Sequence, residues 1–215
     1  MNPIVIAYHL IWTVYGWWLP NDPRGSGSKT VRKDILKELG ELHFGRKTAQ
    51  PSGRVVREFY DAASPLLQHP LFSIDDSMRS AIGTMFAEVI RQHDYTCYDC
   101  AIMPDHLHIL IRKHKHHAED MIELLKEHSR SQLFFQGYLR DDHPIWASGG
   151  GWKVFLDHPD EVWRTIKYIE NNPREIGLPR QSWPFVKSYD NWPLHPGHSP
   201  NSPYAKRLRA VGRYS

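Results

Sequence analysis

The order of elements along the chain predicts an α+β fold, with antiparallel strands covered by helices. Three observations carry this reading. A turn signal, Pro104-Asp105, separates two extended runs at 95–103 and 106–114 and makes them a hairpin. An amphipathic helix over 74–93 precedes the hairpin, and a second helix over 118–135 follows it. The whole chain then reads strand, helix, hairpin, helix, strand, helix, which suits one antiparallel sheet with helices packed on it.

Taken in order, residues 3–14 form the first strand, and 31–42 and 53–67 are helical. The helix over 74–93 stops at Asp94. Ile109, Leu110 and Ile111 are β-branched or aliphatic and read as a buried strand. A short strand at 152–155 leads to a last helix with start chemistry at Asp157 to Pro159 and a stop at Pro173. In that helix Val162, Ile166 and Ile169 follow i, i+4, i+7 and define the core stripe. Tyr168 and Asn172, four residues apart, lie on a different flank, so packing does not require the tyrosine there.

Composition bounds the rest. The 215 residues, 40% hydrophobic, suffice for one domain, read as 1–178 with an insertion at about 19–74, followed by a tail at 179–215. No basic-plus-apolar leader and no run of 18 apolar residues stands in the sequence, so the expected compartment is the cytoplasm. Two cysteines, Cys97 and Cys100, lack a second pair at zinc-finger spacing. At i, i+3 on a strand they face opposite sides, which argues against a disulfide or shared metal unless the chain turns there. No phosphate-binding glycine loop is present, and Gly149-Gly150-Gly151 reads as a plain turn or one that lets the last helix move.

The net charge of +3 is unevenly placed: residues 174–215 hold seven Lys/Arg against two acids. In this tail basic residues from Arg174 onward alternate with Trp183, Phe185, Tyr189, Trp192 and Tyr204. That mixture suits phosphate neutralisation and base stacking, or else aromatics packed back on the domain. Arg46 and Lys47 belong to a second basic stretch at 43–54, over which single-stranded DNA could pass. Lys126 and Arg130 share a helix face at i, i+4 and could touch DNA backbone, although Glu123 and Glu127 beside them suit a plain surface helix. Trp12 belongs to the core, and one of Trp17 and Trp18 is a candidate for stacking a nucleotide.

The most informative motif is His106-Leu107-His108, inside Met103-Pro-Asp-His-Leu-His-Ile-Leu-Ile-Arg112. On a strand the two imidazoles project to one side, where they could grip one divalent cation. Together with the opening Tyr8-His-Leu-Ile-Trp-Thr and the helix end Tyr168-Ile-Glu-Asn-Asn172-Pro, the motif resembles the HUH single-strand tyrosine transposases. Within that family it is similar to the REP-associated tyrosine transposases and related insertion-sequence enzymes. The resemblance implies a ferredoxin-like antiparallel sheet of the HUH endonuclease type. It further implies His106 and His108 as metal ligands, Tyr168 as nucleophile and Asn172 as a further ligand where relatives often carry Gln. The cofactor would be a divalent metal, Mg²⁺ or Mn²⁺, and the partner single-stranded or hairpin DNA. Relatives differ in whether two subunits complete each active site, so homodimer and monomer both stay open. The implied activity is nicking and rejoining of DNA through a 5′-phosphotyrosine link. Two alternatives stand beside it: a domesticated relative that binds structured DNA or RNA without cutting, and an unrelated metallohydrolase whose histidine pair activates water.

Overall fold

In a computed structural model describing residues 5–26, 45–139 and 143–190, strand β1 (Ala7–Thr13) runs through the middle of a four-stranded sheet. Two-residue strands β2 (Gly25–Ser26) and β3 (Gly45–Arg46) form a separate ribbon, and helix α1 (Gly53–Ala63) passes into a 3₁₀ turn at Ser64–Leu66. Then come α2 (Asp76–Gln92), β4 (Cys97–Ile102), β5 (His106–Arg112), α3 (Ala118–Phe135), β6 (Trp152–Leu156) and α4 (Pro159–Glu175). The sheet order is β4-β5-β1-β6, and every neighbouring pair is antiparallel. Leaving aside the 19–74 segment, this is the βαββαβ chain order and strand order of the ferredoxin-like plan. The sequence-predicted helix at 31–42 and the tail beyond Asp190 lie outside the described residues.

Period-two side chains divide each strand between two cores. From β1 and β5, Leu10, Trp12, Leu107, Ile109 and Ile111 face α2 and α3, meeting Ile82, Phe86, Met121 and Leu125. Ala7 and Leu110 face the other way, toward Val162, Ile166 and Ile169 of α4. Each fully buried side chain of this size contributes about 1.5–3 kcal/mol. The apolar stripe of α4 is therefore spent on the sheet, and Tyr168 is left 41% exposed on its flank.

Local chemistry sets the helix ends. Asp75 caps α2 by accepting from the Met78 N–H at 2.8 Å, and Asp94, at φ 56°, ends it in a left-handed turn closed by Tyr95 N–H to Ile90 C=O. The N-cap of α4 is His158, whose Nδ1 accepts from the Asp160 N–H. Pro173 does not stop α4, as the sequence suggested; the helix runs on to Glu175. A proline in the last turn forfeits only one backbone bond, and the stop is Gly177, at φ 77°, with the Leu178 N–H reaching the Pro173 carbonyl.

One further expectation changes, and two open alternatives close. A register shift between Cys97 and Asp99 inserts one residue into β4, so Cys97 and Cys100 both enter the α2/α3 core rather than opposite faces. Both remain free, buried thiols, and burial pushes each above its ordinary pKa. Residues 181–189 pack against the β4 edge: Gln181 bonds the Ile102 N–H and C=O, Trp183 Nε1 donates to the Cys100 carbonyl, and Val186 bridges Cys97. Phe185 and Tyr189 are buried, so these two rings serve the cores, not a nucleotide. Of the glycine run after α3, Gly151 lies close against β1, where a Cβ would come within 2.4 Å of the Ile11 carbonyl oxygen.

Candidate active site

The site forms where β5, β1 and α4 meet. Because β5 starts at the turn after Pro104, His106 and His108 fall on the face that α4 covers, and their rings stand 4.9 Å apart and nearly perpendicular. The α4 stripe lies against this face and brings Tyr168 to His108, with ring centroids 5.3 Å apart at 87°. His9, from β1, completes the group: its ring is 5.1 Å from His108 and 6.1 Å from Tyr168. Asn172 is one helical turn beyond Tyr168, buried, with Nδ2 donating to the Tyr168 carbonyl at 2.8 Å. Its Oδ1 is the atom that could coordinate a cation.

Each histidine of the pair has its Nδ1 engaged by a neighbour. His106 Nδ1 lies 2.6 Å from Asp105 Oδ1, and His108 Nδ1 lies 3.0 Å from His9 Nε2. Asp105 is in turn approached by Arg24, Nη1 to Oδ2 at 3.4 Å. Burial opposes its ionisation, but the hydrogen bond from His106, with the charge and hydrogen bond of Arg24, holds its carboxyl below the usual value. Arg24 comes from the 19–74 segment and is fixed there: Asp22 bonds its guanidinium, the Tyr60 hydroxyl bonds Asp22, and its guanidinium carbon stacks 4.0 Å over the Trp18 ring. The Trp18 ring itself stands 6.0 Å from His106. The segment therefore reaches the histidine pair through a chain of ion pairs and a hydrogen bond, Asp22 to Arg24 to Asp105 to His106.

His9 is neutral at ordinary pH, because burial lowers its pKa to about 4. Two imidazoles whose Nδ1 atoms are engaged present Nε2, and Asn172, four residues past Tyr168 on α4, offers one amide oxygen; this nitrogen-and-oxygen donor set fits a first-row or hard divalent cation. Among the described residues no cluster of three or more His, Cys, Asp or Glu is placed to hold a metal alone. Any ion here would complete its shell with Asn172, water or substrate oxygens.

The sequence-predicted basic contacts separate. Lys126 is buried, with Nζ donating to the Gly149 carbonyl at 2.6 Å; it ties the glycine loop to α3 and is not a surface phosphate contact. A lysine with a four-carbon stem on the inner edge of a helix can reach loop carbonyls more favourably than stay half-covered, and burial lowers its pKa. Arg130 is half-buried on the same helix, Lys47 is half-buried beside the β2–β3 ribbon, and Arg174 is exposed at the end of α4. Arg46 belongs to β3, and the structure describes only its backbone. Sequence reasoning missed His9, Asp105, Arg24 and Arg164. Arg164 is exposed one turn before Tyr168, and with Leu156, Glu161 and Thr165 it lines an open groove beside the tyrosine. An i, i+4 count back from Tyr168 would have found Arg164; nothing local flags the other three.

Residues 70–172 match the family described as "Transposase IS200 like", a segment that includes β5, α3 and α4 as far as Asn172. No curated protein matches the chain. A solved structure of a REP-associated tyrosine transposase bound to a REP hairpin is 13% identical, with a TM-score of 0.42, covering 100% of this chain and 86% of that one. A crystal structure described as a "putative transposase" from Deinococcus radiodurans R1 is 15% identical, with a TM-score of 0.39, covering 78% of this chain and 91% of that one. Residues 70–172, which hold the histidine pair and the tyrosine, are thus the part of this chain that is similar to the IS200-like transposases.

Proposed function

We propose that the protein is a metal-dependent transposase of single-stranded DNA that nicks and rejoins strands through Tyr168, acting on hairpin or repeat ends. The observation that carries this is the contact of Tyr168 with His108: a tyrosine 41% exposed, held against a paired-histidine site by a helix whose packing does not need it. A phenol so placed is open to a strand lying in the groove beside it.

His106, His108 and Asn172 would hold a Mg²⁺ or Mn²⁺ ion, which when bound polarises the scissile phosphate and neutralises the charge that develops there. Tyr168 supplies the nucleophile. Its phenolic oxygen forms a bond to phosphorus as the bond from phosphorus to the 3′ oxygen breaks; the phenol gives up its proton and the departing 3′ oxygen gains one. The products are a 5′-phosphotyrosyl strand and a free 3′-hydroxyl. The reverse step conserves the bond, since a phenolate of ordinary pKa ~10 leaves far more readily than an alkoxide. Arg164 and Arg174, exposed one turn before and nearly two turns after Tyr168, suit the phosphates on either side.

A denaturing gel tests this with end-labelled single-stranded oligonucleotides, some forming hairpins, in Mg²⁺ or Mn²⁺. A protein-linked DNA species should form with the wild type and be absent from Tyr168→Phe and His106→Ala. Strand cleavage without any adduct would instead assign water as the nucleophile. Binding with neither cleavage nor adduct would assign a non-cutting DNA-binding role.

A further inference from the structure

His9 lies outside the family-matched segment, is buried on β1, and is hydrogen-bonded to the site: its Nε2 is 3.0 Å from Nδ1 of His108. One proton lies between those two nitrogens, and its owner decides what His108 can do. If His9 donates, the proton of His108 sits on Nε2, and that atom has no lone pair for a cation. If His108 donates, its Nε2 is bare. His106 offers the comparison, because its Nδ1 faces the Asp105 carboxylate at 2.6 Å, and an ionised carboxylate can only accept. The proton of His106 is thereby placed on Nδ1 and its Nε2 is bare. The same arrangement at His108 gives two neighbouring histidines with matching tautomers.

We propose that His9 is a positioning residue that accepts the Nδ1 proton of His108 and holds it as the tautomer with a bare Nε2, doing with an imidazole what Asp105 does for His106 with a carboxylate. With its own Nε2 occupied in this bond and its ring on the inner strand, His9 serves His108 and is not itself a third ligand. The use of the bare nitrogen rests on the transposase reading above; the tautomer does not. A neutral acceptor suits this position, since His9 is buried between the sheet and α4, where a second carboxylate would meet the desolvation cost that Asp105 offsets with Arg24.

Long-range ¹H–¹⁵N NMR of the full-length, metal-free protein tests the tautomer, with His108 assigned by the signal lost in His108→Asn. The expected result is a protonated Nδ1 and a bare Nε2 on His108; a proton on Nε2 overturns the proposal. Calorimetric titration with MnCl₂ tests the consequence. His9→Phe keeps the ring volume without the acceptor and should bind Mn²⁺ about 10–100-fold more weakly, whereas His9→Gln, whose amide oxygen reaches the place of Nε2, should stay within about 3-fold of wild type. Equal affinity of His9→Phe and wild type, or equal loss in Phe and Gln variants, also overturns it. If His9→Phe does not fold, the wild-type NMR result and His9→Gln decide alone. A bare Nε2 in a protein that forms no DNA adduct would sink the transposase reading and keep the role of His9; an adduct from a protein with Nε2 protonated would do the reverse.

Discussion

Asp99 gives a prediction whose size follows from the structure. It sits at the β4 bulge, 7% exposed, with Oδ1 accepting from the Cys100 N–H and Oδ2 lacking a hydrogen-bond partner among the described residues. Burial, with some repulsion from Glu170, raises its carboxyl to about 7 against the hydrogen bond from Cys100 and the charge of Arg180. The unfolded chain releases this proton near pH 3.8, so between there and pH 7 the native state holds a proton that the unfolded state has lost. Stability from this group is therefore full below pH 4, falls as pH rises to 7 and stays low above it. A shift of about three pK units at ~1.4 kcal/mol each caps the loss near 4 kcal/mol, and relaxation around the ionised form leaves about 1–3 kcal/mol. Asp99→Asn keeps the acceptor for Cys100 and carries no titrating proton. Its stability relative to wild type should be about 1–3 kcal/mol better at pH 8 than at pH 4.5, which is about 2–12 °C in Tm for a chain of this size. Thermal melts followed by circular dichroism at both pH values measure the difference. If the variant and wild type differ by the same amount at pH 4.5 and pH 8, the carboxyl is not raised and the reasoning fails.

Four other substitutions have outcomes set by the same packing. Gly83→Ala should gain about 1 kcal/mol of helix propensity yet lose more, for a net destabilisation of about 1–2 kcal/mol, because its Cβ would lie 2.1 Å from the Trp183 ring, itself anchored to Cys100; unchanged urea midpoints would show that the ring moves freely. Phe185→Ala should cost about 3–5 kcal/mol by chemical denaturation, since that ring is in the α2/α3 core; a cost below 1 kcal/mol would mean that residues 181–189 detach without consequence. Asp105→Ala leaves His106 Nδ1 without its acceptor and should weaken Mn²⁺ binding about 10–100-fold in calorimetry, with Arg24→Ala less severe because it acts one bond further out; equal losses in both would place the control on Arg24 instead.

Much of the fold was legible in the chain because it depends on short-range periodicity. Alternation placed His106 and His108 on one face of a strand, and the i, i+4, i+7 stripe of Val162, Ile166 and Ile169 left Tyr168 on a flank; both patterns are set by backbone geometry alone. Helix ends were legible where a residue acts on its own turn, as at Asp94, and misread at Pro173, where the cost of proline depends on how many turns follow. What only the tertiary structure decided involves partners far apart in sequence. The contact between His9 and His108 joins residues 99 apart, and that between Arg24 and Asp105 spans 81. Lys126 turns inward because a loop 23 residues later offers carbonyls, and one inserted residue at the β4 bulge reversed the side that Cys97 faces. Side-chain type and spacing determined which polar groups the strand and the last helix carry; sheet order and packing decided which neighbours engage those groups, because a hydrogen-bond partner is chosen by distance in space and leaves no periodic trace in the chain.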